Sequence, residues 1–249
     1  MKSKKTQQTL VLIKPDALLY SLTGFIIERI SAVLNPVIAA AKVVRVTREL
    51  AEEHYSNIKD KPFFEMTIKY IMGELHYPLQ PDKRRVMAIT YEAPGIVDGI
   101  KKYFGPTKPR DCKVLAKTEG IITLRSQLSY TDYSVDQEEL IDNAVHASGN
   151  PKEAEREIKL WFEPGDFPAQ HRIFSYLEAR EHFYLVSDAS SDCGFKILPT
   201  YRDGCKCIIA PGNLIWESDY KDIIAYRDGK SNVSQSLKSI IAKYALKTI

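Results

Sequence analysis

The most informative part of the sequence is NAVHASGNPKEAEREIKLWF, residues 143–162. In it a short apolar run contains one histidine and is followed directly by a helix-forming segment. Residues 144–148 are typical of a short buried strand. Asn150, Pro151 and Glu153 supply a helix N-cap, a proline at the first helical position and a glutamate at the third. We therefore predict a strand that delivers His146 to the amino end of a helix.

A histidine in this position is suited to phosphoryl transfer. The amino end of a helix favours anionic phosphate, so a nearby imidazole would meet a phosphorus atom there. A neutral imidazole nitrogen attacks phosphorus without a strong base, and the resulting phosphoramidate is labile enough to pass the group onward. The pattern by itself leaves a second reading open, in which His146 is only a buried structural residue.

The elements before this block predict an α+β sandwich. The order is strand, helix, strand, helices, strand, helix, strand, helix, which suits a four-stranded antiparallel sheet with helices on one face. Between the helix that ends at 104 and the strand at 144–148, we predict an irregular stretch and then a helical turn at 138–140. The predicted strands are 9–13, 40–47, 86–91 and 144–148, and the predicted helices are 22–34, 48–58, 63–72, 94–104 and the one that Pro151 begins.

The sequence pattern changes after Pro164-Gly165, where the helix that begins at Pro151 should end. Strands are predicted at 183–186, 195–198 and 207–210, followed by an amphipathic helix at 233–246. We therefore divide the chain into a domain at 1–164 and a small C-terminal α+β extension at 165–249. The role of the extension is not predicted.

Composition and charge give no support to several classes of function. The net charge is +3 over 249 residues, which is no evidence for a basic nucleic-acid-binding face, so no specific nucleic acid is predicted. The apolar run at 10–13 stops at Lys14, too short for a signal peptide or a membrane span, and cytoplasm is the predicted compartment. Cys193, Cys205 and Cys207 do not have the spacing of a usual zinc site, which favours free thiols over zinc.

Several motifs occur in the order seen in one enzyme family. From about residue 9 to 164 the sequence resembles nucleoside diphosphate kinases. The resemblance is carried by IKPD at 13–16, HY at 54–55, KPFF at 61–64, GPTKP at 105–109 and NAVHAS at 143–148 with AEREIKLWF at 154–162.

The resemblance implies a ferredoxin-like fold and a ping-pong phosphotransferase. A nucleoside triphosphate would phosphorylate His146, and a nucleoside diphosphate would then collect the group. Mg²⁺ would be held mainly by the nucleotide phosphates, with no direct protein ligand. Family members assemble as homo-oligomers, so a dimer-based assembly is expected, with the number of subunits left open.

The resemblance also assigns roles around His146. Lys14 would touch the phosphates, and Tyr55 would hydrogen-bond near Lys14 and the reacting atoms. Ser148 and Glu157 would orient His146 through its other ring nitrogen.

The nucleotide-binding roles fall on a further set of residues. Phe63 would lie on one face of the base with Leu140 on the other, and Asn143 would meet the ribose hydroxyl. Stacking ignores base edges, which predicts tolerance among purine and pyrimidine nucleotides. Lysine, threonine and arginine side chains would hold the phosphates: Lys101, Thr107 and Arg125.

Three departures from the family pattern keep another reading open. Lys101 stands where an arginine is usual and loses the bidentate fork, and Gly149 replaces a usual aspartate. Extra residues occur at 73–85 and on both sides of Arg125. They motivate an alternative, a nucleotide-binding regulatory module with weak or no phosphotransfer. A third possibility is a scaffold in which residues 165–249 bind a protein partner.

Overall fold

The computed structural model describes residues 5–128, 142–230 and 234–245. The chain forms two compact units, Met1–Ile158 and Lys159–Ile249. The division falls inside a helix, a few residues before the boundary predicted after Pro164. The helical turn predicted at 138–140 lies outside the described residues.

The first unit is built on a four-stranded antiparallel sheet, which confirms the predicted fold class. Its strands are β1 (Thr6–Ile13), β2 (Val37–Val44), β3 (Val86–Pro94) and β4 (Val145–Ala147), in the spatial order β2-β3-β1-β4. Central position explains the apolar sequence of β1, because residues 8–13 are buried along both alternating faces. Both faces of the sheet are therefore covered at its centre, whereas the prediction placed helices on one face.

Helices α1 to α7 join and flank these strands. Alternate residues of β1, Val11 and Ile13, pack in a core with Ile26 and Ile30 of the second helix and Ile100 of the fifth. The helices are α1 (Pro15–Leu19), α2 (Thr23–Leu34), α3 (Arg48–His54), α4 (Phe64–Ile71), α5 (Ile96–Phe104), α6 (Pro109–Glu119) and α7 (Pro151–Trp161).

Two boundaries differ from the predicted ones for reasons of local chemistry. Strand β2 ends at Val44, because Thr47 caps α3 by accepting a hydrogen bond from Leu50 N at 3.3 Å. Helix α5 begins at Ile96 and not at Pro94, which is the last residue of β3. Thr47 thus belongs to the cap of α3 and not to β2, and Pro94 belongs to β3 and not to α5.

Helix α6 was missed by the sequence analysis, which took this stretch as irregular. Pro109 stands at its first turn and Gly120 ends it in the left-handed conformation at φ 68°. Within the helix, Pro109 and Cys112 are the buried residues. Few residues of this helix are apolar, so its sequence is not typical of a helix that packs on a core.

The extra segment at 73–85 has a defined conformation. Gly73 turns the chain at φ 79°, a left-handed value that favours glycine. Near its other end, Arg84 Nε donates to Tyr77 O at 3.0 Å and Arg84 Nη2 donates to Pro78 O at 3.0 Å. The arginine therefore closes the segment on itself.

The second unit is a small α+β structure that follows the first in the sequence. Phe183, Ile215 and Leu237 are fully buried in its core, and Tyr244 Oη donates to the buried Asp219 at 2.7 Å. Strands β5 and β9 pair, as do β7-β6-β8. The elements are β5 (Tyr176–Glu178), β6 (Phe183–Ser187), β7 (Phe195–Leu198), β8 (Lys206–Ile209), β9 (Leu214–Trp216), α8 (Glu217–Arg227) and α9 (Ser234–Ala245).

Helix α8 and strands β5 and β9 were not predicted, because the strands have three residues each and the helix has no single apolar stripe. The four cysteines form no disulfide bond with one another. Within the described ranges, no helix combines the length and apolar character needed to cross a membrane.

Candidate active site

His146 is held by a buried carboxylate and a buried hydroxyl. Its Nε2 lies 3.0 Å from Glu157 Oε2, and Ser148 Oγ donates to the same oxygen at 2.6 Å. Ser148 also accepts from Leu10 N at 3.3 Å, which fixes the hydroxyl against β1. The structure thus brings together the three residues predicted to act as nucleophile and orienting partners.

The charge state of Glu157 defines the histidine tautomer. Burial alone would raise the pKa of Glu157, but the charge of His146 and the hydrogen bonds from His146 and Ser148 outweigh it and lower the pKa to about 2. An ionised carboxylate only accepts hydrogen bonds, so the proton of a neutral His146 sits on Nε2. The lone pair is then on Nδ1, the nitrogen that a phosphorus atom would meet.

A second histidine, His54, packs against the first and was given no role from the sequence. The two ring centroids are 4.5 Å apart at 76°. Burial, followed by the charge of His146, lowers the pKa of His54 well below its ordinary value, so its ring is neutral. Arg156, on the same helix as Glu157, donates to Glu53 O and His54 O at 3.1 and 3.2 Å and so holds α3 beside α7.

Across the part of the chain that the structure describes, these side chains form the one cluster with the composition of a metal site. Ligand atoms of His54, His146 and Glu157 lie within 4.8 Å of one another. The Glu157 carboxylate already accepts from His146 and Ser148.

Asn143 connects several of the predicted nucleotide-binding residues. Its Oδ1 accepts from Lys14 Nζ at 2.7 Å, and its Nδ2 donates to Thr107 O at 3.2 Å. Its backbone N–H donates to Tyr70 Oη at 3.3 Å, and its carbonyl accepts from Arg125 Nε at 3.1 Å. A single asparagine therefore sets the relative positions of residues from four separate parts of the chain.

The next residue, Ala144, has a strained backbone at φ 62°. Its N–H donates to Asp16 Oδ2 at 2.8 Å, its carbonyl accepts from Lys14 N at 2.8 Å, and Val145 N donates to Asn143 O at 2.7 Å in a tight turn. Left-handed backbone in a non-glycine residue costs about 1–2 kcal/mol, which these bonds offset. Asp16, quoted in a motif but given no role, is thus a structural support of the site.

Lys14 is a buried cation at the base of the site. Burial lowers its pKa from 10.5 to about 8; the charges of Asp16 and Asp142 oppose this change, and that of Arg125 adds to it. Its Nζ also lies 5.0 Å from the centroid of the Tyr70 ring. The ammonium is poised to lose its proton just above neutral pH.

Arg125, predicted to hold phosphate, is largely buried and bound to the protein backbone. Its Nη1 donates to Gly105 O at 2.8 Å and to Pro106 O at 3.0 Å, and its Nη2 donates to Val145 O at 2.7 Å. With the Nε bond to Asn143 O, the guanidinium joins β4 to the turn after α5. Its contacts within the protein are structural, and its predicted phosphate contact stays a prediction.

Two of the departures from the family pattern, Lys101 and Gly149, lie next to each other. Lys101 Nζ donates to Gly149 O at 3.1 Å. The N–H of Gly149 donates to Glu153 Oε2 at 3.1 Å, and Asn150 Nδ2 donates to Glu153 Oε1 at 2.7 Å. The cap that was predicted for α7 therefore also places a carboxylate beside the position of the missing aspartate.

An open cleft of about 980 Å³ unites these features. Among the described residues, every one predicted for the site lines it except Ser148, which has no exposed surface. The Phe63 side chain is 44% exposed, and the Tyr55 ring centroid is 6.4 Å from that of His146. Leu140 lies outside the described residues. The roles of these side chains toward a nucleotide stay predictions.

Comparison with known proteins identifies the family of the chain. The nucleoside diphosphate kinase family model matches residues 7–167. A nucleoside diphosphate kinase from Pyrococcus furiosus is 36% identical over 180 residues, covering 72% of this chain and 94% of the relative. The curated relatives with the strongest similarity cover about 63–74% of the chain, and its C-terminal region is unmatched.

Solved structures show the same fold. One is a transition-state mimic of the nucleoside-diphosphate kinase from Borrelia burgdorferi with bound vanadate and ADP, at a TM-score of 0.53 and 28% identity, covering 66% of this chain and 90% of that one. Another is the halophilic nucleoside diphosphate kinase from Halobacterium salinarum in complex with CDP, at 0.51 and 26%, covering 66% and 92%.

Proposed function

The chain belongs to the nucleoside diphosphate kinase family, and on that basis we propose that it transfers the terminal phosphate of a nucleoside triphosphate to a nucleoside diphosphate through phospho-His146. The observation that carries the proposal is the His146–Glu157–Ser148 arrangement beside a cleft with several cationic side chains. It supplies an oriented nucleophile and charge to neutralise phosphate, which is most of what phosphoryl transfer requires of a protein.

In the first half-reaction, Nδ1 of His146 forms a bond to the terminal phosphorus while the bond from phosphorus to the bridging oxygen breaks. The nucleoside diphosphate leaves with the electron pair of that oxygen. Glu157 stabilises the positive charge that develops on the imidazole, through its bond to Nε2. The second half-reaction is the reverse, with the acceptor's terminal phosphate oxygen attacking phosphorus and restoring neutral His146.

Mg²⁺ is proposed to enter with the nucleotide. Mg²⁺ prefers oxygen ligands, and among the described residues the two carboxylates that line the cleft already accept hydrogen bonds: Glu157 from His146 and Ser148, and Glu153 from Gly149 and Asn150. Phosphate oxygens would hold the ion, and its chemistry there is charge neutralisation. Lys14 and Thr107 are proposed to position the phosphates.

Substrate breadth is proposed from the way a base would be held. Phe63 offers an exposed ring at the cleft, and stacking on a ring does not read the hydrogen-bonding edge of a base. The ADP and CDP in the two solved structures above fit the same view, since one is a purine and the other a pyrimidine nucleotide. We propose that both classes are substrates, with Asn143 meeting the ribose.

Self-association is also proposed. Strand β2 is at the edge of the sheet, and Val37, Ile38 and Val43 on it are 51%, 45% and 61% exposed. An exposed apolar edge strand is a ready site for pairing with another copy. A monomer in sedimentation at micromolar concentration would contradict a dimer-based assembly.

The test of the proposed function is formation of a phosphoenzyme. Incubation of the chain with γ-labelled ATP and Mg²⁺, without acceptor, should label the protein with a group that is labile in acid and stable in base. Addition of unlabelled GDP should then remove the label and yield labelled GTP. Tight ADP binding without labelling would favour the regulatory alternative and overturn the transfer.

Transfer should decline as pH rises through about 8. Lys14 has a pKa near 8, so kcat/KM, which reports the free enzyme, should fall with an inflection there as the ammonium is lost. Between about 8 and 10.5 the unfolded chain binds more protons at this residue than the folded chain, so its contribution to folding stability rises with pH. A pH–rate profile with parallel thermal melts separates the two effects.

The matched variant is Lys14→Arg, whose guanidinium stays charged and should remove this inflection, although its absolute activity will be lower because the geometry changes. A wild-type profile that stays flat to pH 9.5 would contradict this role for Lys14.

A further inference from the structure

The segment at 73–85 reaches the nucleotide site through one side chain, His76. Its Nε2 lies 2.8 Å from Asp142 Oδ1, and the two side chains are 9% and 25% exposed. Its ring centroid is 5.1 Å from that of Tyr70. Since Asp142 directly precedes Asn143, the His76–Asp142 pair holds the backbone next to Asn143.

We propose that His76 is a positioning residue for nucleotide binding, acting through Asp142 and Tyr70 to hold Asn143 and Lys14 in place. The proposal rests on the proposed function for the identity of the ligand. It assigns a role to a segment that the sequence analysis recognised only as additional to the family pattern.

The contacts run from His76 to the site without interruption. The Tyr70 hydroxyl, next to His76, accepts the N–H of Asn143 at 3.3 Å. The Tyr70 ring also lies under Lys14 Nζ, which donates to Asn143 Oδ1 at 2.7 Å. His76 therefore contacts Tyr70, which binds both members of the Lys14–Asn143 pair, and Asp142, which directly precedes Asn143.

The segment is built to hold His76 in this position. Arg84 ties the far side of the segment to Tyr77 O and Pro78 O, directly after His76, and Tyr77 N donates to Gly73 O at 2.9 Å. An ordered segment loses little conformational entropy when it holds a neighbour, which is what a positioning role requires.

The experiment compares two substitutions at residue 76. His76→Leu removes the donor at similar size, whereas His76→Gln keeps an N–H that can reach Asp142. Calorimetry with ADP and Mg²⁺ should show affinity reduced about tenfold in H76L and less than about threefold in H76Q, the effect of about one hydrogen bond. KM should rise by the same factor with kcat changed less than about twofold. His182→Leu, in the second unit, is the control and should change nothing.

A third variant tests the link to Lys14. Asp142→Asn removes a negative charge that raises the pKa of Lys14 against the larger effect of burial, so the alkaline inflection of kcat/KM should move to lower pH. The shift tests whether Asp142 acts on Lys14, the contact on which the proposed link to the site depends, and the comparison of H76L with H76Q tests His76 itself.

Wild-type ADP affinity in H76L, or equal losses in H76L and H76Q, would overturn the inference. A wild-type chain that binds ADP but forms no phosphoenzyme would instead overturn the proposed transfer, because the affinity ratio tests His76 independently. An unmoved inflection in D142N would also count against the positioning role.

Discussion

Replacement of His146 by alanine is expected to reduce phosphoryl transfer from ATP to GDP by about 10⁴-fold or more, since it removes the atom that would form the bond to phosphorus. Nucleotide affinity should change little, because the phosphates are proposed to be held by other side chains. The steady-state rate, phosphoenzyme labelling and ADP affinity should be measured on the same preparation.

Two variants serve as comparisons. Glu157→Gln keeps the nucleophile but loses the ionised partner of Nε2, so a smaller loss of about 10²-fold is expected. His171→Ala, at an unrelated histidine in the second unit, should retain wild-type activity. Transfer at more than about a tenth of the wild-type rate in H146A would rule out a phospho-His146 intermediate.

Arg125→Ala is expected to damage folding as well as activity. The substitution removes the donors that the carbonyls of Gly105, Pro106, Asn143 and Val145 now share in a largely buried place. Unsatisfied buried groups cost about 1–3 kcal/mol each, and partial access of water should reduce the sum to about 3–5 kcal/mol of unfolding free energy. Urea denaturation and transfer rate should both show the loss.

Arg125→Lys keeps the charge but not the fork, and should lose less stability than the alanine variant while remaining below wild type. Arg110→Ala, at an exposed arginine on α6, is the control for loss of a cation. If R125A bound nucleotide poorly yet unfolded at the wild-type urea concentration, Arg125 would be a phosphate ligand and not a structural tie.

The features that the sequence predicted well are those encoded by neighbouring residues. The cap at Asn150–Glu153 indicated the start of α7, and the continuous apolar run of β1 indicated a buried strand. The order of motifs led to His146, Ser148 and Glu157, which the structure brings into contact. Local chemistry and periodicity were sufficient for α7 and β1, and the family resemblance led to the three site residues.

The features that the sequence did not reveal depend on distant contacts. His76 and Asp142 are 66 positions apart, and no local pattern indicates that they meet. Arg125 binds backbone carbonyls, which leave no trace in residue types. His54 stood in a recognised motif, but only its ring contact with His146 shows that it is part of the site.

The neighbouring residues Gly149 and Glu153 constrain how this chain can change by mutation. A Cβ added at 149 would come within 2.5 Å of Glu153 Oε2. Restoring the aspartate that relatives usually carry would push Glu153 away from Gly149 N and Asn150 Nδ2, at a loss of about 1 kcal/mol for a helix cap, and would bring two carboxylates together. The effects of substitutions at 149 and 153 are therefore expected not to be additive, because an aspartate at 149 is accommodated only when the Glu153 side chain moves.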